Sequence, residues 1–283
     1  MKSTLLTFSL TLVLLLPAAV ARGQLAPPND AGVTMGQLNL RVRDVEATKK
    51  LFLQIGGTPT KLAPCCPDII KYPGVLILLR KADPTGGMEG STVNHIGFLV
   101  KDGATLMAKF KAEGLREESN GSVHGGYVFT PDGIKIEILE RPDLAVPVQF
   151  DQVHFFVADP APDGGASWSE LQAWYTKTFG AMSTSTTLVP TKSGLPAFAE
   201  SQIPGVNLRF SKIDSATVAT KGRALDHIGF EVKNLAAFCK KLEANGVKLT
   251  TPYREIPEEG IGLAFVTDPW GTGIELNEGL DKL

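Results

Sequence analysis

The chain has 283 residues and a formal net charge of -2, with 43% hydrophobic and 20% charged residues. This is the composition of a globular protein with room for one large or two modest domains. The charges form no long run of one sign. The composition therefore argues against a surface for nucleic acid or for anionic membranes.

The first 21 residues have the pattern of a signal peptide. Lys2 gives a positive start, residues 5–16 are mostly apolar, and Ala19-Val20-Ala21 has the small-x-small form that precedes a cleavage site. The apolar run is shorter than the about 20 residues of a membrane span. We therefore predict an exported protein, periplasmic or secreted, without stable membrane insertion after cleavage; an uncleaved anchor is the alternative. Residues 22–32 are predicted to form a flexible leader.

Three cysteines are present, and two of them, Cys65 and Cys66, are adjacent. A disulfide between neighbouring residues is strained and uncommon. We therefore expect buried or free thiols here, and no metal ligation by cysteine.

The chain repeats a unit in which a short alternating strand is followed by a helical stretch. The predicted first strands of the four units cover residues 37–42, 94–100, 152–157 and 226–232. The motif His-Ile-Gly-Phe at 95–98 recurs at 227–230, and an Ile-Glu strand at 136–138 recurs at 274–276, in the same order. We predict an α+β fold of tandem βαβββ modules, paired as residues 33–145 and residues 148–283.

Three residues of the second half are candidate metal ligands. His154 lies in the third predicted first strand, His227 in the fourth, and Glu275 in the last Ile-Glu strand. Taken singly, a histidine on an apolar strand is more often a packed core residue. Two imidazoles and one carboxylate at corresponding places of a repeat, however, form a ligand set that leaves positions open for substrate.

With these motifs the chain resembles the vicinal oxygen chelate superfamily, which includes glyoxalase I, extradiol dioxygenases, fosfomycin-resistance enzymes, methylmalonyl-CoA epimerase and bleomycin-binding proteins. The resemblance covers nearly all of the chain after the leader. It implies two half-open β-barrels with helices on the outside and a metal on the concave side. It also implies that His154, His227 and Glu275 hold one divalent ion (Fe, Mn, Zn, Ni or Co), which binds a small oxygenated substrate through adjacent oxygens.

In the first half, Asn39 stands where His154 stands, while His95 and Glu137 match His227 and Glu275. Asparagine is a poor ligand for these metals, so we expect a degenerate site there. The internal duplication is compatible with a monomer or a homodimer.

The resemblance leaves the reaction open between a lyase, an isomerase and a dioxygenase. Ring-cleaving relatives typically carry a tyrosine where this chain has Phe265, and the second half has no further histidine to act as acid or base. Arg209, which could clamp a carboxylate or phosphonate, and Glu200 are the candidate catalytic residues. One alternative is a metal-free protein that binds and sequesters a small molecule, as bleomycin-resistance relatives do. Another is an assembly role in which both sites are relics.

Overall fold

The computed structural model describes residues 25–161, 168–185 and 198–283, and in these ranges the chain forms four successive βαβββ modules. The strands of the first two modules are β1 (Val33–Val42), β2 (Thr58–Leu62), β3 (Cys66–Tyr72), β4 (Val75–Lys81), β5 (Val93–Val100), β6 (Arg116–Glu118), β7 (Gly126–Phe129) and β8 (Lys135–Glu140). Those of the last two are β9 (Val148–Ala158), β10 (Met182–Ser185), β11 (Phe198–Ile203), β12 (Val206–Ile213), β13 (Leu225–Val232), β14 (Leu249–Ile256), β15 (Ile261–Thr267) and β16 (Gly273–Glu278). The helices are α1 (Val45–Ile55), α2 (Gly103–Ala112), α3 (Leu171–Phe179) and α4 (Leu235–Ala244).

The strands form two eight-stranded sheets. Each sheet combines one module from the first half of the chain with one module from the second half. The first sheet has the order β14-β15-β16-β13-β1-β4-β3-β2, and the second has the order β10-β11-β12-β9-β5-β8-β7-β6. The first module therefore pairs with the fourth, through antiparallel β1 and β13, and the second pairs with the third, through β5 and β9. We expected the pairs to form within residues 33–145 and 148–283. Equivalent modules present equivalent edges, and in the structure each edge has joined the other half of the chain.

The fold class predicted from the repeat is confirmed: two open sheets of duplicated modules, with few helices and no closed barrel among the described strands. One face of each sheet packs into a single large hydrophobic core that the helices share. Phe179 of α3 contacts Phe230 of β13 across this core, with ring centroids 4.9 Å apart. The opposite faces carry the polar residues described below.

Alternation along β13 separates the two faces of the first sheet. Ile228, Phe230 and Val232 are fully buried in the large core, so His227 and Glu231 point to the other side. A smaller hydrophobic cluster, which includes Leu62, Leu78, Ile261 and Leu280, lies apart from the large core. The functional side chains of this sheet are therefore held on a rigid, packed scaffold.

The described part of the predicted leader is packed against the domain. Asn29 Nδ2 donates hydrogen bonds to Phe179 O at 3.0 Å and to Gly180 O at 3.1 Å, at the end of α3, and Leu25 joins the small hydrophobic cluster. Residues 25–32 are thus anchored, whereas we expected them to be loose. The predicted signal peptide, residues 1–21, lies outside the described ranges. None of the described helices is long and apolar enough to span a membrane.

Glu231 ties the C-terminal end of the chain to β13. Its carboxylate accepts hydrogen bonds from the backbone N–H groups of Gly279 at 2.7 Å and Leu280 at 3.1 Å. Burial raises the pKa of Glu231 to about 7, above the ordinary value of 4.5. A raised carboxyl pKa stabilises the fold fully below the unfolded-state value, and this stability is lost as the pH rises through the folded-state pKa.

We therefore expect the stability of the protein to fall between about pH 4.5 and 8 by roughly 3 kcal/mol more than that of Glu231→Gln, since one pKa unit corresponds to about 1.36 kcal/mol. Urea unfolding across this range measures the difference. Glu278→Gln is the matched control, because Glu278 also accepts from two backbone N–H groups, those of Asn234 and Leu235. The same pH dependence in wild type and Glu231→Gln would contradict the assignment to Glu231.

Candidate metal centre

The face of the first sheet opposite the large core carries three buried polar side chains that meet at one point: Gln37 on β1, His227 on β13 and Glu275 on β16. Gln37 Nε2 donates a hydrogen bond to Glu275 Oε2 at 2.6 Å, and His227 Nε2 lies 2.8 Å from the same oxygen. Asn277 Nδ2 donates to Glu275 Oε1 at 2.9 Å and fixes the carboxylate from its other side. We call Gln37, His227 and Glu275 the first cluster.

Asp226 orients the imidazole of the first cluster. Its Oδ1 lies 2.7 Å from His227 Nδ1, and its Oδ2 accepts from the backbone N–H of Gly222 at 2.7 Å. Burial lowers the pKa of His227, but the contacts with Asp226 and Glu275 outweigh burial, so this pKa lies above its ordinary value. A carboxylate behind a histidine fixes its ring and raises its basicity, as at many metal sites.

Gly229 makes room for the glutamine. It pairs with Gln37 across β1 and β13, and a Cβ at this position would lie 2.6 Å from Gln37 Cγ. Any side chain here would push Gln37 away from Glu275. The glycine of the His-Ile-Gly-Phe motif is therefore required by close packing against the first cluster.

The second sheet contains a corresponding second cluster, formed by His95 on β5, Glu137 on β8 and Gln152 on β9. His95 Nε2 lies 3.3 Å from Glu137 Oε2 and 3.3 Å from Gln152 Nε2, which also donates to Glu137 Oε2. Gly97 takes the place of Gly229, with a Cβ there 2.7 Å from Gln152 Cγ. The internal duplication therefore includes the candidate functional side chains as well as the fold of the modules.

The surroundings of the second cluster are less suited to a cation. His95 Nδ1 lies 2.9 Å from the amide oxygen of Asn94, where the first cluster has the carboxylate of Asp226. Burial lowers the pKa of His95, and the contact with Glu137 does not restore it. Burial, then His95 and the positive charges of Arg209 and Lys135, lower the pKa of His154 well below its ordinary value.

The structure brings together only two of the three predicted ligands. His227 and Glu275 are in the first cluster, but His154 lies beside the second, with its Nδ1 3.2 Å from His95 Nε2 and its Nε2 2.9 Å from Ser211 Oγ. The cause is the module pairing, which puts β9 and β13 in different sheets. No group of three His, Cys, Asp or Glu residues that could hold a metal occurs in the described ranges. The first cluster has three candidate metal ligands only if the amide of Gln37 is counted with His227 and Glu275.

The residues expected to form the degenerate site are divided in the same way. His95 and Glu137 lie in the second cluster, whereas Asn39 pairs with His227 in the first sheet. The residues that the sequence analysis missed are Gln37 and Gln152. Each stands two residues before Asn39 or His154 on the same face of its strand, and this repeated glutamine was the available signal.

Arg209 and Glu200, the candidate catalytic residues, are paired with each other in the second sheet. Arg209 Nε donates to Glu200 Oε2 at 2.8 Å, and Arg209 Nη2 lies 3.7 Å from Asp151 Oδ2. The Arg209 guanidinium is therefore engaged by carboxylates of the chain itself. Arg209 belongs to the second sheet, whereas the first cluster belongs to the first sheet.

A cavity of about 450 Å³ opens at the first cluster, a size typical of small-molecule sites. Apolar side chains form much of its wall, among them Leu78, Ile261, Leu263 and Phe265. The ring of Phe265 meets the His227 imidazole edge to face, with centroids 5.1 Å apart. Glu259 also lines the cavity, and burial raises the pKa of its carboxyl group above the ordinary value.

Cys65 and Cys66, which we expected to be free thiols, form a disulfide in the wall of this cavity. They sit at the tight turn that connects β2 to β3, where the two side chains lie next to each other. Arg80 contacts this turn: its Nη1 donates to Cys65 O at 3.2 Å, and its Nη2 lies 3.1 Å from Cys66 Sγ. The third cysteine, Cys239, is a buried free thiol.

We therefore expect the denatured, non-reduced chain to react with one maleimide, at Cys239, and the reduced chain to react with three, because two of the three cysteines are bridged. Intact-mass measurement counts the adducts. Cys239→Ser is the control, and its non-reduced chain should take up none. Three adducts before reduction would show that the bridge is absent.

Residues 169–276 match the model of the Glyoxalase/Bleomycin resistance protein/Dioxygenase superfamily. Similar solved structures are glyoxalase I from Zea mays (TM-score 0.62, 18% identity, 88% of this chain and 94% of that chain covered) and its V278E mutant (TM-score 0.66, 17% identity, 88% and 94% covered). A candidate dioxygenase from Bacillus subtilis is also similar (TM-score 0.59, 16% identity, 87% and 85% covered). No curated protein sequence matches the chain.

The match of residues 169–276 and the shared fold confirm the resemblance to the vicinal oxygen chelate superfamily that the repeated motifs predicted. The matched residues contain both His227 and Glu275. At these levels of identity the solved structures establish a shared fold, and they leave the reaction of this chain to be argued from its own cluster and cavity.

Proposed function

We propose that the chain is a metal-dependent enzyme whose active site is the first cluster, with Gln37, His227 and Glu275 as the ligands of one divalent ion. The observation that supports this most is their convergence at one carboxylate oxygen, within 2.6 and 2.8 Å, at the cavity of about 450 Å³. Groups about 2.1 Å from a common ion lie roughly 3 Å from one another. The His227 nitrogen and the Glu275 oxygen are therefore close to the spacing that a shared ion requires, and the Gln37 amide, whose Nε2 makes the 2.6 Å contact, would turn to present its Oε1 to the ion.

An unpartnered atom in the first cluster supports the fit to a cation. Gln37 Oε1 is buried and accepts no hydrogen bond from the described residues. A buried acceptor without a partner is costly, and a bound ion would satisfy it. The donor set of amide oxygen, imidazole and carboxylate suits several divalent ions and leaves positions for a substrate.

A metal held here would act as a Lewis acid on the adjacent oxygens of a bound substrate. The chain's own residues would prepare the site for this chemistry. Asp226 keeps the Nε2 side of the His227 ring facing the cluster, and the apolar walls, including Leu263 and Phe265, limit access of water. The Glu259 carboxylate makes no hydrogen bond within the described residues and has a raised pKa, so it is the proposed group that takes up and returns a substrate proton.

Among the reactions open to the superfamily, an isomerase or lyase fits this cavity better than a ring-cleaving dioxygenase. His227 is the one histidine that lines it, and Phe265 brings an apolar ring where a hydroxyl-bearing side chain would be needed. Oxygen chemistry of that kind calls for further acid or base groups close to the ion, whereas proton transfer next to a chelated carbonyl needs one carboxylate, which Glu259 supplies.

Reconstitution tests the proposal. Metal-free protein is incubated separately with Mn, Fe(II), Co, Ni and Zn, freed of excess metal and analysed for metal content. We expect about one equivalent of at least one ion per chain. Less than about a tenth of an equivalent with all five ions would reject a metal-dependent function.

A metal-free binding protein is the second candidate. The observation in its favour is that Gln37 and His227 both already contact Glu275, so that apart from one amide oxygen the first cluster is satisfied by its own members. This function predicts that the cavity binds small molecules with the same affinity in the presence and absence of metal. A metal-dependent increase in affinity would exclude it.

We also propose that the protein is exported, on the basis of the signal-peptide pattern in residues 1–21. Expression with its native N-terminus in a Gram-negative host, followed by N-terminal sequencing of the periplasmic fraction, tests this. The expected new N-terminus is Arg22. Full-length chain retained in the membrane fraction would instead indicate an uncleaved anchor.

A further inference from the structure

The cavity beside the first cluster is lined by more cationic side chains than carboxylates, the latter being Asp226, Glu259 and Glu275. Four cationic side chains line it: Arg41, Arg80, Lys81 and Arg254. Arg41 on β1 and Arg80 on β4 are direct partners in the parallel register of the two strands. Residues paired in this way lie side by side on one face of the sheet. The sheet therefore places two guanidinium groups next to each other at the cavity.

These cations have few close ion pairs within the described residues, and Glu259 acts on Arg80 and Arg254 only from a longer range. No carboxylate of the described residues lies within 4 Å of Arg80, Lys81 or Arg254, and Arg41 Nη1 reaches only to 3.9 Å from Asp226 Oδ2. Arg41 Nε is buried without a hydrogen-bond partner in the described residues. Like charges that are direct partners on a sheet destabilise it, so an arrangement of this kind points to an anion that binds between them.

Two other arginines of the described chain are engaged by carboxylates. Arg209 contacts Glu200 at 2.8 Å, and Arg43 contacts Asp132 at 2.8 Å. The guanidinium of Arg80 is instead held by the turn of the Cys65–Cys66 disulfide, through a backbone carbonyl and a sulfur atom. These contacts fix the position of Arg80 without neutralising its charge. Its remaining N–H groups stay available to a planar anion.

Another part of the cavity wall is apolar. Leu62, Leu78, Ile261 and Leu280 belong to the small hydrophobic cluster and also line the cavity. A ligand that fills this space needs a hydrophobic body and one charged end. We propose that the cavity binds small apolar acids, with the anionic group held by Arg80, Arg41 and Arg254 and the hydrophobic body packed on the leucine and isoleucine side chains.

The anion site itself requires no metal. Only the step from this site to the substrate of the enzyme rests on the proposed function. In a substrate, the anionic group would lie at the arginine end and the two neighbouring oxygens at the first cluster. The proposed enzyme would therefore act on oxygenated carboxylates or phosphonates with an apolar segment, and would discriminate against their neutral analogues.

Binding of a matched pair of probes to metal-free protein tests the inference. The probes are 3-phenylpropionate and its neutral analogue 3-phenylpropanol, titrated in the presence of EDTA by calorimetry and by ligand-observed NMR. We expect 3-phenylpropionate to bind at least about tenfold more tightly, because hydrogen bonds to charged groups contribute about 1.5–3 kcal/mol. Equal affinities, or no binding of either probe, would overturn the inference.

Variants locate the anion site. Arg80→Gln and Arg254→Gln should each weaken 3-phenylpropionate binding about tenfold and leave 3-phenylpropanol unaffected. Both residues are exposed, so the variants should fold, and circular dichroism checks this. Arg141→Gln removes the same charge from an exposed position outside the cavity and should change neither affinity by more than about twofold. An equal loss of 3-phenylpropionate affinity in all three variants would show that only the net charge of the protein matters, and the proposed site would be rejected.

Because these titrations contain no metal, they are decided separately from metal reconstitution. Protein that binds metal but does not prefer the acid would retain the proposed function and lose this substrate class. Protein that prefers the acid but binds no metal would retain the anion site and lose the proposed enzymatic function.

Discussion

Replacing His227 by alanine is expected to reduce bound metal from about one equivalent to less than about a tenth, and to lower metal affinity more than about 100-fold. Substitutions that only disturb the orientation of a ligand already cost about 10–100-fold, and this one removes the imidazole that contacts Glu275 at 2.8 Å. Glu275→Gln should have a comparable effect, because it removes the one negative charge of the first cluster. Metal content after reconstitution and competition with a chelator measure both effects.

The duplication supplies the control for this experiment. His95→Ala and Glu137→Gln make the equivalent changes in the second cluster, which has Asn94 in place of Asp226 and the cations Lys135 and Arg209 nearby. Both variants should retain about one equivalent of metal. If instead His95→Ala loses the metal and His227→Ala retains it, the second cluster is the metal site and the assignment made here is reversed.

Gly229→Ala is expected to weaken metal binding at least about tenfold, although Gly229 contacts no metal. Its new Cβ would lie 2.6 Å from Gln37 Cγ, so that Gln37 has to move away from Glu275. Overpacking of this kind costs about 1–3 kcal/mol of stability, and a displaced ligand lowers metal affinity as well. Urea unfolding and metal titration measure the two effects separately.

Gly97→Ala is the matched variant, since its Cβ would lie 2.7 Å from Gln152 Cγ in the second cluster. It should show a similar loss of stability but retain the metal affinity of the wild type. Equal losses of metal affinity in the two glycine variants would mean that the effect arises from general destabilisation, and the ligand role of Gln37 would then have to be abandoned.

The sequence predicted the local structure and the repeat well, because both depend on short-range patterns. The four expected first strands all lie within β1, β5, β9 and β13. The glycine at 229 was part of the repeated motif used to recognise the modules, and the structure supplies its physical reason in the contact with Gln37. The glycine recurs at 97 because the second cluster has the same close contact, between Gly97 and Gln152.

The partner of each module could not be predicted in this way. The pattern of β1 and β5 is satisfied equally by either neighbour, since all four modules present similar edges. The choice depends on packing between segments far apart in the chain, of which a single sequence carries no direct signal. The position of His154 followed from that choice: it looked equivalent to a ligand, but its strand β9 belongs to the second sheet.

The glutamines were overlooked for a chemical reason. Histidine and carboxylates are the expected ligands of a transition metal, so Asn39 and His154 attracted attention ahead of Gln37 and Gln152. The disulfide was missed because adjacent cysteines rarely bridge, and only the turn at residues 63–65 shows how Cys65 and Cys66 can.

The pairing of modules from different halves affects how the chain folds during synthesis. During synthesis, β1 emerges first and must remain without its antiparallel neighbour until β13, in the last module, has been made. Closing so long a loop is entropically costly and slows folding. Each half contributes two modules whose partners lie in the other half, so two separately expressed halves are expected to complete each other's sheets on mixing.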